Sequence, residues 1–327
     1  MKQFQYTRPK QTPAALEAIR KGNASHFLAG GTNLLDLMKR GVAVPEKLVD
    51  INRLPLKDIE YRDGTLMIGA LALNSQVADH ELVSAKFPLL SQALLSGASA
   101  QIRNMATVGG NMMQRTRCHY FYHVSMPCNK RQPGSGCGAR EGVNRSHAIF
   151  GASEQCIAVH PSDMCVALAA LDASVRIRGL KGERTLPFVD FHRLPGNEPE
   201  KDTVLAPDEL ILGVDIPDNP FAEHSCYLKV RDRHSYAFAL VSVAAALDIN
   251  NNTIQEARLA MGGVAHKPWR LYEAEKALQG KPLNEASFNA AAETALQNAQ
   301  AYEHNAYKLT LASNTIVQAL KEAAGLA

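Results

Sequence analysis

Apolar and polar residues change phase several times along this chain, from helical spacing to alternation and back. Ala14 to Ile19 has the spacing of a short amphipathic helix, while Lys47-Leu-Val-Asp-Ile51 reads as a strand. Between them His26-Phe-Leu-Ala29 enters the pair Gly30-Gly31, and Leu34, Leu35, Leu37 and Met38 then mark one helical face. That is strand, tight turn, helix, and it gives a first unit over residues 1–55. A second unit spans 56–218. In it Leu66-Met-Ile-Gly-Ala70 predicts a strand, Leu89 to Ser96 a helix, and Ala106-Thr-Val-Gly-Gly-Asn111 a turn. Periodicity then lapses from Arg115 to Gly151, a stretch rich in Arg, His, Gly, Pro and Cys. Loops of this length inside a compact domain are functional or disordered, and this one reads as ordered, held by something other than a core. Regular structure returns at Met164 to Ala170 and Ser174 to Ile177. Ile216-Pro-Asp-Asn-Pro220 marks a boundary near 218–222. The last unit, 222–327, opens with strands at Cys226 to Arg231 and Ala237 to Leu247 and another at Ala257 to Met261. Helices follow at Tyr272–Leu278, Glu285–Gln300 and Asn314–Ala324. Strands and helices mixed without βαβ alternation predict an α+β fold.

The 327 residues carry 35 Lys+Arg against 32 Asp+Glu, a net charge of +3, which excludes a strongly electropositive nucleic-acid binder. At 46% hydrophobic and 20% charged residues the chain is far from the disordered class. The longest apolar run, Phe238 to Leu247, is interrupted by Ser242 and is about half of the ~20 residues a spanning helix needs. The N-terminal segment lacks a signal-type apolar stretch, so the expectation is synthesis and retention in the cytoplasm unless a partner carries the protein out.

Two glycine elements carry candidate binding chemistry. In Phe27-Leu-Ala-Gly-Gly-Thr-Asn-Leu-Leu35 the glycines permit close backbone approach, Thr32 and Asn33 are placed to cap the next helix, and its first amides suit an anion such as a pyrophosphate. The pattern is neither Gly-x-Gly-x-x-Gly nor a P-loop. Thr107-Val-Gly-Gly-Asn111 is a second element of the same kind. The two are either walls of one phosphate cradle or unrelated turns. Asp163 is either a hydrogen-bond acceptor for a ribose or the N-cap of the following helix. Lys229, Arg231 and Arg233 alternate as on a solvated strand face.

Six cysteines are unevenly placed. Four have the spacing Cys118-x9-Cys128-x8-Cys137-x18-Cys156, without the close pairs of zinc knuckles or ferredoxins. Four thiolates from one wandering loop suit a cubane iron–sulfur cluster. The flanking Gly134, Gly136 and Gly138 let amides approach sulfur, and Arg115, Arg117, Lys130 and Arg131 offset negative charge. A structural zinc, disulfides and free thiols stay open on spacing alone. His119, His123, His147 and His160 lie in or beside the loop and are read as ordinary polar residues. Cys165 and Cys226 read as core thiols.

Phe27 to Met38, Thr107 to Asn111 and Pro161-Ser-Asp-Met164 together resemble the FAD-binding (medium) subunit of the xanthine oxidase family of molybdenum hydroxylases. The resemblance covers the whole chain, including a C-terminal domain like that of the carbon monoxide dehydrogenase flavoprotein. The loop narrows it. Gln114-Arg-Thr-Arg-Cys-His-Tyr-Phe-Tyr122, Pro127-Cys-Asn-Lys-Arg131, Pro133-Gly-Ser-Gly-Cys137 and Cys156-Ile-Ala-Val-His-Pro-Ser-Asp163 look like flavoprotein subunits of periplasmic aldehyde oxidoreductases, which carry a [4Fe-4S] cluster in an inserted loop. The resemblance implies a two-subdomain FAD-binding domain of the carbon monoxide dehydrogenase flavoprotein and vanillyl-alcohol-oxidase type, not a Rossmann fold, followed by the C-terminal α+β domain. It implies that Phe27, Leu28, Ala29, Gly30, Gly31, Thr32, Asn33 and Leu34 wrap the FAD pyrophosphate and that Thr107, Gly110 and Asn111 complete the cradle. Asp163 would hold the adenosine ribose or its neighbour, Lys229 would approach the isoalloxazine, and Cys118, Cys128, Cys137 and Cys156 would ligate the cluster. It further implies a heterotrimer with a large molybdenum-cofactor subunit and a small subunit holding two [2Fe-2S] clusters. Export to the periplasm would use a partner's signal, with a cytoplasmic complex as the alternative. No side chain here is then expected to be catalytic for aldehyde turnover. Competing readings are a flavin subunit like that of 4-hydroxybenzoyl-CoA reductase, a self-contained FAD oxidase, and a zinc-braced FAD-binding module.

Overall fold

The computed structural model describes residues 1–21 and 24–326. Three sheets organise them. The first has three parallel strands, with Lys47–Asp50 between Gln5–Thr7 and Ser25–Leu28. The helix Thr12–Arg20 buries Ala15, Leu16 and Ile19 against it, as its spacing predicts. The second is a five-stranded antiparallel sheet in the order Ile59–Arg62, Thr65–Gly69, Leu210–Pro217, Ser174–Gly179, Gly182–Pro187. Leu210–Pro217, just ahead of the boundary expected near 218–222, is thus its central strand. The third is antiparallel, in the order Trp269–Arg270, Thr253–Gly262, Val241–Asn250, Ser225–Val230. It is backed by helices Tyr272–Leu278, Glu285–Leu296 and Tyr307–Ala323. No helix among the described residues is long and apolar enough to cross a membrane.

The boundary expected near 218–222 lies between two strands of different sheets, yet one core crosses it. The helix Asp163–Ala170 is buried on every side. An all-round apolar helix needs cover on all faces, and the C-terminal sheet supplies part of it. Along Val241–Asn250, Ala244 and Ala246 face that helix and its core, while Val243, Ala245 and Leu247 face the C-terminal helices. The strand period of two therefore serves both cores at once.

The last helix begins at Tyr307, seven residues before the predicted Asn314. Lys308 conceals the start. It is fully buried, and its Nζ donates to the carbonyls of His147, 3.0 Å, and Gly263, 2.7 Å. A charged residue at a core position breaks the apolar spacing by which a helix is read. Burial pushes its ammonium down to about 7. Glu285–Leu296 ends before the predicted Gln300. The turn predicted at 106–111 is instead a short helix, Val108–Met112.

Candidate functional site

The two glycine elements meet. A Cβ placed on Gly30 would stand 1.8 Å from the carbonyl oxygen of Met105, two residues ahead of Thr107. Only a bare backbone fits there. Gly31, at φ +74°, turns the chain from the strand Ser25–Leu28 into the helix Leu34–Lys39. Phe27, Leu28, Ala29, Gly30, Asn33 and Leu34 are all half-buried, and Thr32 and Gly110 are exposed, so the joined elements form an open wall. Asn52 Nδ2 fixes the turn by donating to the carbonyl of Ala29, 3.0 Å.

Thr32 and Asn33 do not cap the helix as expected. Asn33 stands at the N-cap without bonding back to it. Its Oδ1 instead accepts the backbone N–H of Arg115, 2.9 Å, which ties the glycine turn to the start of the cysteine loop. Its Nδ2 is buried without a protein partner. A buried amide nitrogen left so is costly unless a ligand or water takes it. On the second element Thr107 Oγ1 accepts the N–H of Gly110, 3.2 Å, a normal helix cap. Asn111 Oδ1 accepts from Ser162 Oγ, 2.7 Å, joining this wall to the residue before Asp163.

Asp163 and Lys229 meet each other rather than the open wall. Lys229 Nζ lies 2.8 Å from Asp163 Oδ2 and also donates to the carbonyl of Ser96, 3.0 Å. Tyr227 donates its hydroxyl to Asp163 Oδ1, 2.7 Å. Both carboxylate oxygens and the ammonium are committed inside the protein, with side-chain exposures of 9% and 3%. The expectation set Asp163 at the adenosine ribose or its neighbour and Lys229 near the isoalloxazine; in this structure their charged groups pair with each other. The N-cap reading of Asp163 is corrected: Ser162 is the cap, its Oγ accepting from Cys165 N, 3.1 Å. The pair is a buried ionic contact between the second unit and the C-terminal sheet, in addition to the Arg258–Asp172 and Arg270–Asp172 pairs. Removing one partner of a buried pair leaves an uncompensated charge, costing about 3–5 kcal/mol. Lys229→Met is therefore expected to lose about that much stability in urea unfolding, and Asp163→Asn/Lys229→Met to regain part of it. A double variant no more stable than the single one would refute the pairing.

The four cysteines converge. Cys118, Cys128, Cys137 and Cys156 line one small cavity with Thr116, Phe121 and Lys130. All six cysteines are unbridged in this structure. Asn129 assembles three of the four segments. Its N–H donates to Gly136 O, its Oδ1 accepts from Gly136 N, and its Nδ2 donates to the carbonyl and side chain of Gln155. Cys128 and Cys137 form a β-bridge, and Gly136 adopts φ +94° to allow it. The N–H groups of Phe121 and Tyr122 donate to the Cys118 carbonyl and that of Arg140 to the Cys137 carbonyl, which closes tight turns around both cysteines. His147 Nε2 lies 3.2 Å from Cys118 Sγ. Burial pushes the imidazole down to about 4, so it meets the sulfur as a neutral group. The Cys118 thiol is pushed up by burial to about 11. The Cys156 thiol is aimed at the Cys137 sulfur, so Cys137 ionises well below an ordinary thiol and Cys156 well above.

Behind the cradle lies a knot of histidines that sequence reasoning did not assemble. His160 and His192 rings stand 4.4 Å apart, His266 is buried nearby, and His192 Nε2 meets the carbonyl of Met112 at 2.9 Å. They come from three separate chain segments, so no spacing signals them. Burial pushes His192 down to about 4, His266 to about 3 and His160 well below its usual value. Unfolded imidazoles take their proton near pH ~6.5, so between that pH and about 4 the unfolded chain binds more protons. Stability is thus full above about pH 6.5 and falls as pH drops toward about 4. His192→Gln should flatten that slope in denaturation midpoints measured across the range. An unchanged slope would show that the histidines do not carry it.

Comparison with known proteins agrees with this geometry. Residues 2–219 match the family described as "FAD binding domain in molybdopterin dehydrogenase", and residues 226–323 match "CO dehydrogenase flavoprotein C-terminal domain". The chain is 47% identical over 326 residues, 99% of both chains, to the aldehyde oxidoreductase FAD-binding subunit PaoB of Escherichia coli. It is 29% identical over 286 residues to the glyceraldehyde dehydrogenase medium chain of Sulfolobus acidocaldarius, covering 86% of this chain and 83% of that one. The solved structure of carbon monoxide dehydrogenase from Hydrogenophaga pseudoflava, in a form lacking the Mo-pyranopterin moiety, includes a chain that superposes with a TM-score of 0.78 at 26% identity. The alignment covers 99% of this chain and 98% of that one.

Proposed function

The chain belongs to the FAD-binding subunits of the molybdenum hydroxylase family, and on that premise we propose that it is the electron-transfer subunit of an aldehyde oxidoreductase. In this reading it holds FAD and a [4Fe-4S] cluster, receives electrons from a small subunit with two [2Fe-2S] clusters, and delivers them to an external acceptor. A large subunit bearing the molybdenum cofactor oxidises the aldehyde and completes a heterotrimer. Export of that complex on a partner's signal, as in the periplasmic enzymes it resembles, belongs to the same proposal.

The observation that carries the reading is the convergence of four cysteines from separate turns of one long loop on one cavity. Full-length identity to an aldehyde oxidoreductase FAD-binding subunit supports the substrate class. When bound, FAD supplies a carrier that exchanges electrons singly or in pairs, and the cluster a one-electron carrier. The protein's own part is placement. Gly30 and Gly31 bring backbone against the pyrophosphate, with Phe27, Leu28, Ala29 and Leu34 as its apolar bed. Asn33 offers its unpartnered Nδ2, and Thr107, Gly110 and Asn111 close the other side. Asp163 and Lys229 brace this wall from behind. Cys118, Cys128, Cys137 and Cys156 hold the cluster. Arg115 links the two sites, its amide on Asn33 and its neighbour Thr116 in the cysteine cavity.

The test is elemental analysis of the anaerobically purified complex, with the large and small subunits separated afterwards. About four irons and four sulfides with one FAD are expected on this chain, as a cubane with four thiolate ligands requires. Zinc in place of iron would keep the FAD-binding role and overturn the cluster.

A further inference from the structure

Six cations lie within the cysteine loop: Arg140 pairs with Glu154, Arg145 with Asp232, and the other four have different work. Arg131 is turned away onto the carbonyls of Tyr120, 2.7 Å, Phe121, 2.8 Å, Val124, 3.3 Å, and Met126. Arg117 bonds the Tyr122 hydroxyl and Gln114 and lies over the Phe238 ring. Arg115 lies over the Phe121 ring and bonds Asp202 and the carbonyl of Glu200. Lys130 alone lines the cavity, with a side chain 1% exposed. Its ammonium is held by Asp202 and by the carbonyl of Pro199, 2.6 Å. Arg115 and Lys130 share the single carboxylate of Asp202, so the triad keeps one net positive charge, and the member at the cavity wall is sealed from solvent. Salt and water screen such a charge little.

We propose that Lys130, pinned by Asp202, is a positioning residue that sets the reduction potential of the cluster bound by the four cysteines. The proposal rests on the cluster reading above. Reduction adds one electron to the cluster from the partner's [2Fe-2S] relay. It makes and breaks no bond and moves no proton, so the cluster and its thiolates gain one negative charge. A fixed cation at the wall favours the reduced state and raises the potential. Asp202 opposes that effect while holding the lysine in place.

The test is a mediated redox titration of the intact complex followed by electron paramagnetic resonance, with the partner's [2Fe-2S] signals as internal reference. Lys130→Met is expected to shift the cluster's equilibrium tenfold or more toward the oxidised form, a drop of about 59 mV for a one-electron couple. Asp202→Asn is expected to shift it the other way by a smaller amount. A purely structural role would give iron loss or shifts of one sign in both variants. Full iron with an unmoved potential in Lys130→Met would overturn the proposal, as would shifts of the same sign. If Lys130→Met does not hold iron, Asp202→Asn decides: an upward shift supports the proposal and no shift or a downward one overturns it. Absence of iron from the unaltered complex would instead refute the cluster reading itself.

Discussion

Gly30→Ala is expected to abolish FAD retention. The new methyl carbon would stand 1.8 Å from the Met105 oxygen, 2.8 Å from its carbonyl carbon and 3.3 Å from Ala106 Cα. All three are backbone atoms, and no rotamer change clears them. Ordinary overpacking costs about 1–3 kcal/mol, and an overlap this deep requires the walls to separate. Those walls are the pyrophosphate cradle itself, so the loss falls on binding as well as stability. The purified variant should carry less than about a tenth of the wild-type FAD, since a tenfold loss needs only about 1.4 kcal/mol. Gly41→Ala is the control. Gly41 also turns at φ +74°, but its added methyl meets nothing within 4 Å, so it loses about 1 kcal/mol of conformational preference and keeps its flavin. Equal flavin in both variants would show that the Gly30 contact does not shape the cofactor site.

Cys137→Ser is expected to remove the iron and leave the flavin. The neighbouring Cys156 thiol favours the Cys137 thiolate, and thiolate is the form that binds metal. A serine hydroxyl is nearly isosteric but remains protonated, so the cavity keeps its shape and loses a ligand. Iron should fall from about four to below about one per chain. The FAD cradle draws on residues 27–34 and 107–111, outside this loop, and should retain most of its flavin. Unchanged iron in this variant would contradict the ligand assignment. Loss of both cofactors together would show that the cluster supports the cradle through Arg115 and Asn33, a coupling the variant Asn33→Ala would reproduce with iron intact.

What the sequence determined by itself was local. The helix at Thr12–Arg20, the strands at Lys47–Asp50 and Thr65–Gly69, and the glycine turn all lie where short-range spacing puts them, because backbone propensity and one buried face suffice to define each. The four cysteines were legible as a set for the same reason: thiols are rare, and their clustering in one aperiodic loop needs no third dimension to notice. Tertiary structure decided which charges are free. Asp163 and Lys229 are 66 residues apart and read separately as a polar cap and a solvated strand face, yet they neutralise each other in the core. Lys130 and Asp202, 72 residues apart, pair beside the cysteines, where Arg115 shares the same carboxylate. The histidine knot of residues 160, 192 and 266 has no spacing at all. Burial and charge partnership are properties of where distant segments meet, and a pattern with a period of two or 3.6 residues carries no record of that. The glycine elements fall between the two cases. Their residue types announced a close backbone approach, and only the contact of Gly30 with Met105 showed what they approach.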